Sequence, residues 1–187
     1  KYLYILALCF VLPFTSCAAT ENEITVSQKV KPGIEVLRDS GFELLKGQRV
    51  GLVTNPSGVD SQLKSTIDIL HEAPEVNLVA LYGPEHGVRG DVVAGEKVND
   101  QIDAKTGLKV YSLYGKTRKP TAEMLAGVDV LVYDIQDIGC RSYTFISTMG
   151  LVMEAAVENS IEVVVLDRPN PLGGIKVEGS GVSEGYF

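Results

Sequence analysis

The sequence is poor in the residues that build histidine-rich metal sites and disulfide frameworks. Its 187 residues include no tryptophan, three cysteines and only two histidines, His71 and His86. So few imidazoles argue against a zinc site made mainly of histidines, and leave a carboxylate-rich metal site open. Positive charge is also scarce, because 17 Lys and Arg face 24 Asp and Glu for a net charge of −7. This acidic balance, without a basic stripe, argues against a nucleic-acid partner.

No hydrophobic run is long enough to span a bilayer comfortably. The one at the N-terminus, residues 2–12, follows Lys1 and is typical of a signal-peptide core, so we predict a signal over residues 1–17. Ser16 before Cys17 resembles a lipoprotein processing site, which predicts Cys17 as the lipidated residue. Ordinary cleavage after Ala18 or Ala19 is the alternative. Either route predicts an exported protein, periplasmic or anchored to the outer membrane, with the lipid as its only membrane contact.

The remaining cysteines do not predict a disulfide. Cys9 would leave with the signal, and an acylated Cys17 would leave Cys140 without a partner. Polar residues 18–30 are interpreted as a tether, and residues 31–187 as one folded catalytic domain.

Apolar runs and helical patterns alternate from residue 31 onward. This alternation predicts a Rossmann-like α/β fold, a parallel sheet with helices on both faces. Neither Gly-x-Gly-x-x-Gly nor a phosphate-binding Gly-x-x-x-x-Gly-Lys-Ser occurs, so no cofactor is predicted. The expected strands cover residues 49–54, 78–82, 110–113, 128–135 and 161–166, and the expected helices cover 34–40, 61–73, 121–126 and 142–159.

Four features of these elements are specific enough to be checked. Ser61 is the expected cap of the second helix, and Thr121 that of the third. The helix over 142–159 is apolar almost all round, so we expect it to lie deep against the sheet. Residues 92–107 lack a clear period and are expected to form a surface excursion.

Polar loops follow the carboxyl ends of the predicted strands, the edge where open α/β sheets bind ligands. The loop after 78–82 breaks at Gly83-Pro84 and carries Glu85, His86 and Arg89. The other loops contribute carboxylates, arginines and amides. Carboxylates accept hydrogen bonds from sugar hydroxyls and arginines clamp carboxylates, so the converging loops predict a site for a hydroxyl-rich, negatively charged substrate.

Four motifs on these loops resemble those of the exo-acting β-N-acetylmuramidases, a family long known only as a domain of unknown function. They read Gly-Leu-Val-Thr-Asn-Pro-Ser-Gly, Gly-Pro-Glu-His-Gly-Val-Arg-Gly, Tyr-Asp-Ile-Gln-Asp-Ile-Gly-Cys-Arg-Ser-Tyr-Thr-Phe and Leu-Asp-Arg-Pro-Asn-Pro-Leu-Gly-Gly. The resemblance implies a glycosidase that removes terminal N-acetylmuramic acid from peptidoglycan fragments such as MurNAc-GlcNAc, in cell-wall turnover. It also implies a smaller C-terminal domain, which we expect to be missing from this truncated chain.

Glycoside hydrolysis usually requires two carboxyl groups, one acid and one base or nucleophile. Glu85 is the expected acid, because partial desolvation after a buried strand favours its protonated form. An ion pair with Arg89 is the structural alternative. Asp134 and Asp137 are the candidates for the second carboxylate. Asp137 is preferred because it lies further out in its loop, and either could instead cap the helix that follows.

The other candidates are substrate-binding residues. The arginines would bind the lactyl carboxylate of muramic acid or pair with a nearby Asp. His86 would orient Glu85, bind substrate or make a plain structural hydrogen bond. The tyrosine would stack on a sugar or pack in the core. The asparagines would bind hydroxyls or hold their turns. The set comprises His86, Arg89, Asn55, Arg141, Tyr143, Arg168 and Asn170.

Two other classes of protein fit the same loops. A carbohydrate-binding lipoprotein would capture sugars without cutting them. A metal-dependent hydrolase would use Glu85, His86, Asp134 and Asp137 as ligands and would lose activity with a chelator.

Overall fold

A computed structural model describes residues 30–90 and 100–185. The predicted signal, its Cys17 and nearly all of the tether lie outside these residues. In the described part, no helix is both long and apolar enough to cross a membrane. The elements are α1 (Gly33–Asp39), a 3-10 helix (Glu43–Leu45), β1 (Arg49–Thr54), α2 (Thr66–Glu72), β2 (Asn77–Gly83), β3 (Gln101–Ile102), β4 (Lys109–Ser112), β5 (Val130–Asp134), α3 (Phe145–Glu158) and β6 (Glu162–Val165).

The strands form one sheet in the order β3-β4-β2-β1-β5-β6. All neighbouring pairs are parallel except β3 with β4, which is antiparallel. The parallel strands thus run third, second, first, fourth, fifth, the order of doubly wound dinucleotide-binding sheets. The α/β prediction is confirmed. The surface excursion predicted for residues 92–107 is wrong at Gln101–Ile102, which pair with the edge of the sheet.

Each face of the sheet carries its own apolar core, because side chains alternate along every strand. Val50 and Leu52 of β1 face α1 and α2, whereas Val53 faces α3. Helices therefore cover both faces, as predicted. The buried helix residues in these cores are Ile34, Leu37, Ile67, Ile69 and Leu70 on one face and Val152, Ala155 and Ala156 on the other.

Helix α2 begins later than predicted. The Ser65 hydroxyl accepts from the Ile67 N–H and is the N-cap, so the prediction of Ser61 as cap is wrong. Upstream, the Asp60 carboxylate accepts from the backbone N–H groups of Gln62 and Lys64, and Leu63 has a left-handed φ of 63°. These local hydrogen bonds hold residues 60–64 as a loop, because they compete with those of a helix.

Two other helix predictions are also corrected. The segment after Pro120 makes a turn in which Thr121 Oγ1 accepts from the Met124 N–H, but no helix propagates from it. So short a segment gains too few backbone hydrogen bonds to offset nucleation. Helix α3 is not buried all round. Only one side meets the sheet, and the other leaves Ile146, Met153 and Val157 exposed.

Candidate active site

The loop after β2 presents Glu85 and His86 on a tight turn. The Gly87 N–H donates to the Pro84 carbonyl, and His86 and Gly87 both have a left-handed φ of 72°. For a side chain other than glycine this conformation costs about 1–2 kcal/mol, so the surrounding structure must hold it. Strained residues of this kind cluster at functional sites. Both Glu85 and His86 are half-buried at the carboxyl edge of the sheet.

Arg89 pairs with other carboxylates instead of Glu85. Its guanidinium donates to both oxygens of Asp103, at 2.5 and 3.0 Å, and to Asp68 Oδ1 at 3.0 Å. Among the described residues, Glu85 has no ion pair and no side-chain hydrogen bond. The loop is therefore anchored by Arg89 while the Glu85 carboxyl group stays available.

Asp103 responds strongly to this contact. The hydrogen bond from Arg89 lowers the pKa of Asp103 from its ordinary 3.8 to about 2, with Thr106 adding to the effect and burial opposing it. Asp103 follows β3, and its backbone carbonyl accepts from the Gly107 N–H. Arg89 therefore ties the Glu85 loop to the β3–β4 turn by a charged contact that persists at neutral pH.

Asp134 and Arg168 form a buried pair at the end of β5. Arg168 donates from Nε and Nη2 to the two Asp134 oxygens at 2.6 and 2.8 Å, and from Nη2 to the Val59 carbonyl. The Thr66 hydroxyl donates to Asp134 as well. Asp134 is completely buried and Arg168 is 7% exposed. The two residues thus satisfy each other between β5 and the loop after β1.

Ligands of doubly wound sheets usually enter beside the first strand, where the strand order reverses. Here that crevice, between the ends of β1 and β5, is filled by the chain itself. Thr54 Oγ1 donates to the Asp134 carbonyl at 2.8 Å, and a Cβ on Gly58 would lie 2.1 Å from Thr54 Oγ1. Gly58 is needed for this close approach. The loop after β1 thus packs directly against the end of β5 at this position.

Asn55 belongs to the same filled crevice. Its Oδ1 accepts from the N–H and the hydroxyl of Ser57, and the Ser57 hydroxyl accepts from the Gln136 N–H. Asn55 is 6% exposed. In this structure it holds its turn and links the loops after β1 and β5.

Asp137 is placed differently from Asp134. It is half-buried, and only its Oδ1 accepts a hydrogen bond from a described residue, the Gly139 N–H at 2.6 Å. It lines a cavity of about 190 Å³ with Tyr133 and Phe145. The Tyr133 hydroxyl donates to the Phe145 carbonyl, and burial raises the pKa of Tyr133. Neither Asp caps α3, whose N-cap residue is Thr144.

Glu85 lines a separate cavity of about 220 Å³, between the ends of β2 and β4 and the start of α3. Of the residues singled out in the sequence, only Glu85 belongs to it. Sequence analysis missed Tyr114 and Arg118. Both follow β4, and the other candidates were found because they follow the carboxyl end of a predicted strand. The complete lining is Pro84, Glu85, Leu113, Tyr114, Arg118, Thr144, Ser147 and Thr148.

The remaining candidates lie apart from this cavity. Arg141 is exposed and donates to the Ser180 carbonyl at 2.9 Å. Tyr143 is 46% exposed, with its ring edge-on to Phe145 at 6.0 Å. Asn170 Oδ1 accepts from the Leu172 N–H, and the Asn170 amide group packs against Gly139. Across residues 30–90 and 100–185, no three His, Cys, Asp or Glu side chains are grouped to hold a metal ion.

Comparison with known proteins identifies the family. Residues 50–187 match the family model described as "Exo-beta-N-acetylmuramidase NamZ, N-terminal". The chain belongs to this family. It is also 57% identical over 160 residues to the peptidoglycan beta-N-acetylmuramidase NamZ of Bacillus subtilis (strain 168), an alignment that covers 86% of this chain.

Two crystal structures of DUF1343 family proteins from Bacteroides fragilis NCTC 9343 share the fold. One is 70% identical with a TM-score of 0.76 over 83% of this chain. The other is 36% identical with a TM-score of 0.63 over 75% of this chain. The chain spans only 39% of the length of the Bacillus NamZ, and 39% and 35% of the two Bacteroides chains. It therefore corresponds to the N-terminal portion of longer family members.

Proposed function

We propose that the full-length protein is an exo-acting β-N-acetylmuramidase that removes terminal N-acetylmuramic acid from peptidoglycan fragments, in cell-wall turnover. The observation that carries this proposal is the placement of Glu85. Its half-buried carboxyl group lines a cavity at the carboxyl edge of a parallel sheet and is free of ion pairs with the described residues. The Bacillus relative named as a peptidoglycan muramidase supports the substrate class.

Glu85 is the proposed general acid. Its proton passes to the glycosidic oxygen as the bond from that oxygen to the anomeric carbon breaks, and the positive charge develops on the muramic acid ring. Water supplies the hydroxyl group that ends on the anomeric carbon, and its other proton passes to a carboxylate of the site. A half-buried carboxyl group that forms no ion pair with the described residues is free to approach the substrate.

Asp137 is the better of the two candidates for the second carboxylate. Both Asp134 oxygens accept from Arg168, whereas Asp137 Oδ2 accepts no hydrogen bond from a described residue. A base or nucleophile needs such a free oxygen. Asp137 and Glu85 line separate cavities on either side of the start of α3, so the scissile bond would have to lie over that helix end for both carboxyl groups to reach it.

Export suits this activity, because peptidoglycan lies outside the cytoplasm. We propose lipidation at Cys17 as the anchor that keeps the enzyme at the membrane surface. His86, Arg141 and Tyr143 remain proposed substrate contacts, since none of them is enclosed by the fold.

The test is hydrolysis of a chromogenic β-N-acetylmuramide by the full-length protein. Glu85→Gln is expected to lower kcat by about 10²- to 10⁴-fold, the usual contribution of a general acid. Glu123→Gln changes an exposed carboxylate that does not line the cavity, so it is the matched control and should retain full activity. The corresponding β-N-acetylglucosaminide measures selectivity, and activity should survive a chelator.

Each contrary outcome points to a different conclusion. A wild-type protein that releases no chromophore contradicts the muramidase proposal and favours the carbohydrate-binding lipoprotein. Release that survives Glu85→Gln moves the acid to Asp134 or Asp137. Activity abolished by a chelator favours the metal-dependent hydrolase.

A further inference from the structure

A sugar that carries a carboxylate needs a cation in its binding site. Arg89 and Arg168 are poorly suited, because both are already paired with carboxylates of the fold. Arg89 faces Asp68 and Asp103, and Arg168 faces the fully buried Asp134. If either arginine moved away from its partners, a buried carboxylate would be left without a counter-ion, which is costly.

Arg118 has the opposite properties. It lies on the loop that follows β4, its side chain is exposed, and it forms no ion pair or hydrogen bond with any residue of the described ranges. It also lines the cavity to which Glu85 belongs. Arg118 is therefore a guanidinium that can bind a ligand at the candidate acid without first leaving a partner.

The rest of the cavity suits a sugar with a negative charge. Pro84 and Leu113 form an apolar wall, and the hydroxyls of Ser147 and Thr148 are exposed or half-buried at the start of α3. Hydroxyls of this kind exchange hydrogen bonds with sugar hydroxyls. The first turn of α3 contains no acidic residue, so the partial positive charge of the helix end is not offset there.

The cavity is also small. Its volume of about 220 Å³ is below the roughly 300–1,000 Å³ of drug-sized ligand sites. It therefore fits a single terminal residue of a glycan better than an internal stretch of chain. A single sugar in this cavity would lie against both Glu85 and Arg118, because both line it.

We propose that Arg118 binds the lactyl carboxylate of N-acetylmuramic acid and so selects this sugar over N-acetylglucosamine, which lacks that group. This inference rests on the proposed muramidase activity and deepens it. Arg118 acts as a specificity residue: it takes no part in proton transfer, and its contact with the substrate is a charge-assisted, bidentate hydrogen bond.

The experiment compares three chromogenic substrates with the full-length protein: the muramide, the muramide with its lactyl carboxylate converted to a neutral amide, and the glucosaminide. Arg118→Gln should lower kcat/KM for the muramide by about 10- to 100-fold, the usual worth of a hydrogen bond to a charged group. For wild type, kcat/KM should be lower on the amide than on the muramide by a similar factor. On the amide, kcat/KM of Arg118→Gln should be close to that of wild type.

Two further variants sharpen the result. Arg118→Lys keeps the charge without the planar fork, so its kcat/KM on the muramide should fall between wild type and Arg118→Gln. Lys116→Gln removes an exposed cation from the same loop and should leave all three rates unchanged. Thermal melting of each variant checks that the fold is retained.

The outcomes separate the two proposals. If wild type hydrolyses the muramide and Arg118→Gln leaves selectivity unchanged, the role of Arg118 is overturned while the muramidase proposal stands. Equal losses on the charged and the neutral substrate also overturn it, because they indicate a structural role. If wild type hydrolyses no muramide, both proposals fail.

Discussion

Asp134 is the last residue of β5 and Asp137 lies in the loop that follows, yet the two carboxylates have different surroundings. Asp134 is fully buried and its oxygens accept from Arg168 and Thr66. Asp137 is half-buried and accepts from a single backbone N–H. Residue type and spacing do not separate the two, whereas burial and hydrogen-bond partners do.

This contrast predicts opposite effects of two matched substitutions. Asp134→Asn leaves the buried Arg168 guanidinium without its carboxylate, so the free energy of unfolding should fall by about 3–5 kcal/mol. Asp137→Asn should change it by less than about 1 kcal/mol and lower muramidase kcat by at least about 10²-fold. Urea unfolding and the chromogenic assay measure the two quantities. An Asp134→Asn protein of normal stability, or an Asp137→Asn protein of normal activity, would contradict this assignment.

At the scale of elements, the loop after β2 depends on a turn that is distant in the chain. Arg89 on that loop donates to Asp103, which follows β3, and to Asp68 of α2. These contacts fix the backbone that carries Glu85 and the strained His86. The position of Glu85 thus depends on its own loop and on two other segments of the chain, α2 and the turn after β3.

The Arg89–Asp103 contact should make stability depend on pH in the acid range. The pKa of Asp103 is about 2 in the folded protein and ordinarily 3.8, so folding favours its ionised form. Its contribution is complete well above pH 3.8 and is lost as the pH falls toward 2. Arg89→Met should remove this part of the acid destabilisation.

The measurement is the urea midpoint of wild type and Arg89→Met between neutral pH and about pH 2.5. The difference between them should shrink as the pH falls. Lys46→Met, which removes an exposed ion pair with Glu43, is the control and should behave as wild type. A difference that stays constant with pH would mean that Asp103 does not titrate as its contact with Arg89 requires.

At the scale of the whole molecule, the family relatives extend well beyond the matched region, since the chain spans 39% of the Bacillus NamZ. Activity is therefore best assayed on the full-length protein. Its place in the cell is a separate question, which the proposed lipidation at Cys17 makes testable.

Lipidation at Cys17 predicts how the precursor distributes between fractions. Wild type should sediment with membranes and incorporate labelled fatty acid. Cys17→Ala should lose the label and move to the soluble exported fraction, because one acyl chain contributes about 0.8 kcal/mol per buried methylene and nothing replaces it. Cys140→Ala, which removes the exposed thiol of the described domain, should behave as wild type. An unlabelled wild-type protein would support ordinary signal cleavage.

The parallel α/β sheet was predictable from local patterns, because buried strands are continuous apolar runs and amphipathic helices repeat with their own period. β1, β5 and β6 lie where the runs indicated, give or take two residues at their ends. Predictions failed where a few side-chain hydrogen bonds decided the backbone. Asp60 and Ser65 set the start of α2, and the turn after Pro120 stayed too short to propagate a helix.

By itself, the sequence determined the fold class, the polar edge of the sheet and Glu85 as the carboxyl group to examine. The fold class and the polar edge follow from periodicity and from turn residues, which act over a few positions, and the role expected of Glu85 follows from the resemblance of its motif. Only the tertiary structure decided that Arg89 and Arg168 are held by carboxylates, and that Arg118 shares a cavity with Glu85. Those assignments depend on contacts between distant segments, whose partners are fixed when the strands assemble side by side.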